Sequence, residues 1–375
     1  MFSSRSALAL VYALQVVVVS AQYRLVREYS GPSFFDNWNY YGSYDNLTNG
    51  DVMYTAVNGR LTYVDPQTNH SFIRVDNFTN VAQGSKRNSV RINTNELYGV
   101  GSVWVGDFVH VPFGCSVWGA FWSTATEEEI SPAVWPTGGE IDTFEAYNLI
   151  SANHFSLHTN TGCSVTSNSS QISALINSTD CDSSNGGPGC TVSANDTRSY
   201  GLPFAQAGGG IYVTEFDANA ISMWFFSRNE VPKTLADNVT TVDTSQLGLP
   251  AVTYPVSSCA IGQLFKPQSL VFDITLCGPG NPEIFNQTCT GICYNDWVLG
   301  EPSNFDNAYF EVRTVRVFAR PNATIVAPSP PQTAATSAFS LPPIPTAALG
   351  SGAENGVRAG IWAAVFTVVA AYSAF

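Results

Sequence analysis

Strand signals recur along this chain and helical ones do not. From Ser89 to Pro112, SVRINTNELYGVGSVWVGDFVHVP alternates and is rich in Val and aromatic residues. GGIYVTEFDANAISMWFFSR and NAYFEVRTVRVFAR read the same way. In the former, IYVTEF and AISMWFF flank Asp217, Ala218 and Asn219, a hairpin connection built from turn-forming residues. In the latter, Phe310, Val312, Thr314 and Arg316 alternate with Glu311, Arg313, Val315 and Val317, so neither face is cleanly apolar. No stretch of about 15 residues between the chain ends carries an apolar stripe at i, i+3, i+4, i+7. Many short strands with Gly and Pro between them predict an all-β sandwich or barrel.

The two ends read as processing signals. Arg5, an apolar run from Ala7 to Val19 and the small residues Ser20 and Ala21 predict a secretory signal over residues 1–21, cut after Ala21. A membrane anchor would need a longer run. Small residues at Gly350 to Ala353, a polar spacer and an apolar tail from Ile361 to Phe375 have the layout of a glycosylphosphatidylinositol attachment signal. That tail is short for a spanning helix. Ser351 is favoured over Gly350 and Gly352 as the attachment residue, with 352–375 removed. Pro, Ala, Ser and Thr dominate from Ala327 to Ala348, so residues 321–351 are expected to form an extended stalk. The folded part is then 22–320, one long domain without internal repeats.

A net charge of −13 disfavours nucleic acid as a partner. Sequons at Asn46, Asn69, Asn77, Asn168, Asn177, Asn195, Asn238, Asn286 and Asn322 predict a glycosylated surface. Eight cysteines beside only four histidines favour disulfides in an oxidising compartment over a metal centre. Local pairing is expected: Cys259 with Cys277, and Cys163 with Cys181 or Cys190.

Against a chain only 12% charged, GGEIDTFEAYN stands out. Glu140, Asp142 and Glu145 sit among Ile141 and Phe144 in what reads as a buried strand. Residues i and i+2 of a strand share a face, so Glu140 and Asp142 point together. A regular strand would send Glu145 to the other side. One inserted residue, a β-bulge, restores the phase and gathers all three carboxylates. Two carboxylates on one face are the equipment for breaking a glycosidic bond: one attacks the anomeric carbon, the other protonates the leaving oxygen. A separation of about 5 to 5.5 Å gives retention through a covalent glycosyl-enzyme. Asp142 between them would hydrogen-bond Glu140 and raise its neighbours' proton affinity by like-charge repulsion. A solvated strand face is the plain alternative, disfavoured by the apolar and glycine neighbours. No G-x-S-x-G or H-E-x-x-H motif supports a serine or zinc hydrolase.

WPTGGEIDTFEAYN resembles the signature of glycoside hydrolase family 16, in its laminarinase-type branch with the bulged E-x-D-x-x-E. YDNLTNGDVMYTA, SVRI, GCSVWGAFW, LHTNTGCSV, GGGIYVTEFDANAISMWFF, SLVFDITLCG and NFDNAYFEVRTVRVF are similar to segments of its secreted fungal members. The match runs from about Tyr23 to Phe318. It implies a β-jelly-roll sandwich of the concanavalin A-like lectin/glucanase kind, with a substrate cleft on its concave face. It implies retaining endo-hydrolysis of β-1,3 or mixed β-1,3/1,4 glucan. The mechanism as drawn needs no cofactor, and a monomer acting on β-glucan is expected. By matching position Glu140 is the nucleophile, Glu145 the acid/base and Asp142 the assisting carboxylate. His158 matches a histidine near the cleft, where local hydrogen bonding is an equal account of it. Trp122 and Trp135 match sugar-stacking positions; Trp118 is a further candidate. Arg91 either reaches glucan hydroxyls or serves as a structural ion-pair partner. His154 has no counterpart, and Trp224 reads as core. Two segments depart from the family pattern. STATEEEISPAV before Trp135 is long, and its Glu127, Glu128 and Glu129 read as a solvated loop. Gly278 to Trp297 is lengthened and carries an extra cysteine pair, which weakens any sugar role for Trp297.

Two other functions compete. A glucan transglycosylase would share the covalent intermediate, but anchored wall-remodelling relatives usually carry the unbulged E-x-D-x-E. A non-catalytic glucan-binding protein could keep the tryptophans and lose the acids, whereas here the acids are present.

Overall fold

Two antiparallel sheets account for most of the strands in the computed structural model, which describes residues 22–57, 59–126, 134–166, 170–173, 175–278 and 282–327. One has eight strands. In spatial order they are Ile176–Ser178, Cys190–Ser193, His154–His158, Glu140–Tyr147, Val117–Thr124, Ser269–Leu276, Arg91–Thr94 and Trp38–Tyr40. The other runs Thr241–Asp243, Gln22–Ser30, Tyr309–Ala319, Ser102–His110, Gly210–Phe216, Ala220–Ser227 and Val252–Pro255, with Thr62–Val64 and Ser71–Arg74 added beside Tyr309–Ala319. The chain crosses between the two sheets several times, as from Ser102–His110 to Val117–Thr124 and from Val252–Pro255 through Ser269–Leu276 to Tyr309–Ala319, and the result is a β-jelly-roll sandwich. Helices are short, such as Gly201–Gln206 and Ile261–Leu264.

The core is an aromatic seam between the sheets. Phe121, Phe144 and Phe272 descend from the first sheet onto Phe108, Tyr212 and Phe310 of the second. Phe121 stacks on Phe272 at 4.6 Å, and Phe272 meets Phe310 edge-on at 5.1 Å. Such contacts add about 0.5–1.5 kcal/mol each beyond the area they bury. The second sheet is also covered on its outer face. Tyr23, Val103, Val105, Ile211, Val213, Trp224 and Phe318 pack there under Leu235, Val242 and Leu247. Trp224 is therefore core, its indole N–H donating to Gly248 O at 3.1 Å. Double coverage also explains the unresolved faces of Tyr309–Ala319. Arg316 lies buried under that layer and its guanidinium donates to the carbonyls of Leu235, Ala236 and Asp237.

The expected disulfides are not the ones formed. Cys163 pairs with Cys259, Cys181 with Cys190, Cys115 with Cys289 and Cys277 with Cys293. Between Cys259 and Cys277 runs the eight-residue strand Ser269–Leu276. At about 3.3 Å per residue it carries the two sulfurs to opposite ends of the sheet. Cys259 instead faces Cys163 across an isolated bridge.

Ile325–Val326 pairs with Leu97–Tyr98 in a separate two-stranded sheet, so strand pairing continues past Arg320 into the segment expected to be stalk. The expected leader, the rest of the stalk, the attachment signal and Glu127 to Glu129 lie outside the described residues. No helix among the described residues is long and apolar enough to cross a membrane.

Phe272 contacts rings from both sheets, so Phe272→Ala should destabilise the fold by about 3–5 kcal/mol. Urea unfolding of the two proteins measures this; a loss under 1 kcal/mol, well below the roughly 3 expected for a core aromatic, contradicts the packing described.

Candidate active site

The acidic strand Glu140–Tyr147 crosses the middle of the eight-stranded sheet. Gly139 starts it with φ +75° beneath Phe265, where a Cβ would lie 2.2 Å from the ring. Only glycine fits that close approach. Against Val117–Thr124 the pairing runs Thr124 with Glu140, Ser123 with Ile141 and Trp122 with Asp142, then skips to Phe121 with Phe144 and Ala120 with Glu145. Thr143 is the extra residue. The ladder to His154–His158 skips at the same place, pairing Asp142 with Ser156 and Glu145 with His154. Thr143 and Phe144 both turn inward. The Thr143 hydroxyl lies 2.6 Å from that of Thr214 and accepts from the Trp104 indole at 3.0 Å. The bulge expected from the spacing is present, and Glu140, Asp142 and Glu145 share the face away from the core.

Each carboxylate has its own partners. The Trp135 indole donates to Glu140 Oε2 at 2.8 Å. The Trp118 indole donates to Glu145 Oε1 at 3.1 Å, and the Ser156 hydroxyl to Oε2 at 3.3 Å. His158 stands between the other two acids, its Nε2 3.4 Å from Asp142 Oδ2 and 3.8 Å from Glu140 Oε1. Its Nδ1 is held by the Ser183 hydroxyl at 2.9 Å. The imidazole thus links Asp142 to Glu140, where a direct hydrogen bond was expected.

Burial raises the proton affinity of all three acids. For Glu140 the His158 charge, the Trp135 N–H and Arg91 work against it. For Glu145 burial is reinforced by the charge of Glu140 and opposed by His158, Trp118 and Ser156. Asp142 is displaced furthest, by burial and then by Glu140. For His158 burial opposes the charge, but the close Asp142 carboxylate and the charges of Glu140 and Glu145 outweigh it and lift its pKa to about 9. His154, four residues earlier on the same strand and opposite Glu145 in register, gains no compensating interaction, and burial lowers it to about 4. Ligand atoms of Glu140, Asp142 and His158 lie within 4.8 Å of one another, a spacing that could also hold a metal ion. With the imidazole protonated, however, the cluster already contains its counter-charge.

The aromatic residues flank this group. Trp122, next to Asp142 in register, is held at its indole N–H by Asp273 Oδ1 at 3.0 Å. Asp273 Oδ2 accepts from Arg91 at 3.1 Å, and the guanidinium sits 4.9 Å over the Trp122 ring. Arg91 is thus an ion-pair partner that also backs a cleft aromatic. Trp118 packs on Gly278, where a Cβ would come within 2.5 Å of its ring. It meets Tyr147 at 6.3 Å beside a pocket of about 90 Å³ closed by Ile284 and Phe285. Trp135 is half exposed and lies 5.5 Å from the His158 ring. Trp297 packs on Cys115, Phe285 and Cys289 and donates to Thr290 O.

Sequence reasoning did not single out Asp273 or Ser156, and it set His154 aside for want of a counterpart. Asp273 is a lone acid in the apolar strand SLVFDITL, the same signal that marked the acidic strand. The places of His154 and Ser156 follow only from their register with Glu145 and Asp142.

The family model for an XgeA-like catalytic GH16 domain matches residues 38–318. The chain belongs to glycoside hydrolase family 16. A probable endo-1,3(4)-beta-glucanase of Neosartorya fischeri is 33% identical, over 80% of this chain and 46% of that protein. The chain therefore spans about half the length of that relative. Among solved structures, the GH16 laminarinase 16A of Phanerochaete chrysosporium, with 6-O-glucosyl-laminaritriose in donor and acceptor sites, is 33% identical. It aligns with a TM-score of 0.71 over 79% of this chain and 99% of that one. An elongating GH family 16 beta-1,3-glucosyltransferase is 30% identical, with a TM-score of 0.70 over 79% of this chain and 100% of that one.

The two histidines of the strand offer a direct test of the electrostatics. Nitrogen-detected NMR should find His158 protonated to about pH 9 and His154 neutral above about pH 4. Asp142→Asn should move the His158 titration down toward the ordinary range; an unmoved titration contradicts the pairing.

Proposed function

We propose that this chain is a retaining endo-hydrolase of β-1,3 or mixed β-1,3/1,4 glucans. The observation that carries the reading is the bulge at Thr143, which sets Glu140 and Glu145 on one face of the central strand. In the first step a Glu140 oxygen attacks the anomeric carbon while the glycosidic bond breaks and the leaving oxygen takes the Glu145 proton. In the second, Glu145 takes a proton from water, the oxygen of that water attacks the same carbon and Glu140 departs. His158, the Trp135 N–H and Arg91 all favour ionised Glu140, and that charge in turn keeps the proton on Glu145. Trp122 and Trp135, with Trp118 beside Glu145, offer flat amphipathic surfaces for sugar rings.

Glucosyl transfer is a second reading, favoured by the similarity to the elongating glucosyltransferase. The first step is unchanged; a sugar hydroxyl replaces water in the second. Chromatography of products from laminari-oligosaccharides separates the two, because only transfer gives chains longer than the substrate. A non-catalytic glucan-binding role is a third, which Glu140→Ala excludes if turnover vanishes while glucan is still bound.

Four disulfides and exposed sequon residues Asn46, Asn177, Asn195 and Asn322 support a secreted glycoprotein. Retention at the cell surface by a lipid anchor belongs to the same proposal.

The pH profile follows from the directions of the shifts. The active form needs ionised Glu140 and protonated Glu145. Activity is lost as pH falls through the raised pKa of Glu140 and as it rises through the raised pKa of Glu145. Both limbs on laminarin should lie above the ordinary carboxylate range. Glu145→Gln should lower kcat by about 10²–10⁴-fold and remove the alkaline limb. Glu140→Ala should abolish hydrolysis; wild-type rates in that variant contradict the assignment.

A further inference from the structure

A bulge breaks the hydrogen-bond ladder, and a broken ladder buried in a sheet must be repaired. Between the pairs Asp142–Ser156 and Glu145–His154, the acidic strand has one residue more than its neighbour. The neighbouring backbone therefore cannot serve every group of Thr143 to Glu145. The side chain of Asn153 fills the gap. Its Oδ1 accepts from the Glu145 backbone N–H at 2.9 Å, and its Nδ2 donates to Thr143 O at 3.2 Å. One carboxamide thus supplies the acceptor and donor that a strand peptide would have supplied. The two partners also fix which end of the amide is oxygen, since Glu145 N–H can only donate and Thr143 O can only accept.

Asn153 is itself immobilised. It is fully buried. Its N–H donates to Ser199 Oγ at 2.9 Å, and its carbonyl accepts from Ala194 N–H at 2.7 Å. The Ser199 hydroxyl in turn donates to Asp196 O at 2.6 Å. The clamp therefore ties the bulge to the 195–200 turn, on the far side from Val117–Thr124. Trp118 and Ser156 hold the Glu145 carboxylate through side-chain bonds instead.

We propose that Asn153 is the positioning residue for Glu145: it holds the bulged backbone so that the acid/base projects into the cleft. The inference rests on the reading of Glu145 as acid/base. Asp at this position would keep size and shape and could still accept from Glu145 N–H. Its second oxygen would face Thr143 O, acceptor against acceptor. The bulge would relax and the Glu145 carboxyl would swing from its place.

The test compares Asn153→Asp with Glu145→Ala, using laminari-oligosaccharides and a 2,4-dinitrophenyl β-glycoside of laminaribiose. The dinitrophenolate leaves without a proton, so an acid is needed only for the natural bond. Azide replaces the base in the second step: it attacks the anomeric carbon, the bond to Glu140 breaks, and the β-glycosyl azide forms. Glu145→Ala should lose oligosaccharide hydrolysis, keep the first step on the dinitrophenyl substrate and respond to azide. Asn153→Asp should show the same pattern in part. Acid/base help is worth about 10²–10⁴-fold, so a partial loss lowers kcat on oligosaccharides by about 10- to 100-fold. Azide should accelerate its turnover of the dinitrophenyl substrate, with glycosyl azide detected and KM nearly unchanged. If Asn153→Asp does not fold, Asn153→Ser, which adds no charge, is read the same way. Equal losses on both substrates without an azide response, or no loss at all, would overturn the role of Asn153. Failure of Glu145→Ala to respond to azide would instead overturn the acid/base reading beneath it.

Discussion

Thr143 is the residue on which the cleft depends. It takes part in no chemistry. It faces the core, where its hydroxyl meets Thr214 from the opposite sheet and the Trp104 indole. Those bonds give an extra strand residue a satisfied place in the sandwich interior. The strand absorbs it by turning two consecutive side chains inward, and Glu145 regains the phase of Glu140 and Asp142. The polar contacts of the interior and the carboxylates of the cleft are two sides of one local distortion.

Crowding three acids together would be costly without compensation. The sheet supplies it from neighbouring strands by register. His158 lies opposite Glu140, Ser156 opposite Asp142 and Trp118 two positions from Ala120, the partner of Glu145. One imidazolium serves two carboxylates, and two indole N–H groups serve Glu140 and Glu145. At Glu140 the charges of His158 and Arg91 both oppose burial, whereas at Glu145 the charge of Glu140 adds to it. The two glutamates thus differ in environment although they stand on one strand, and unequal environments are what an acid and a nucleophile need.

Much of this was legible in local sequence. Alternation without helical stripes led to an all-β sandwich, and the spacing of Glu140, Asp142 and Glu145 called for a bulge before any coordinates. What escaped was long-range. The disulfides join Cys115 to Cys289 and Cys163 to Cys259, residues that only the jelly-roll topology brings together. Tyr309–Ala319 gave no clear face because its sheet is covered on both sides. Arg91 allowed two readings until Asp273 appeared beside it from a strand 182 residues away. Asn153 looks like an ordinary loop residue until the gap in the ladder shows what its amide does.

Trapping the glycosyl-enzyme tests the central claim most directly. A 2-deoxy-2-fluoro-β-laminaribiosyl fluoride has a good leaving group and a slowed second step, so the covalent species accumulates. Digestion and mass spectrometry locate the bond. The account predicts a single adduct on Glu140, within the peptide that carries Asp142 and Glu145. An adduct on either of those other carboxylates, or none while the fluoride is hydrolysed with inversion, would contradict it.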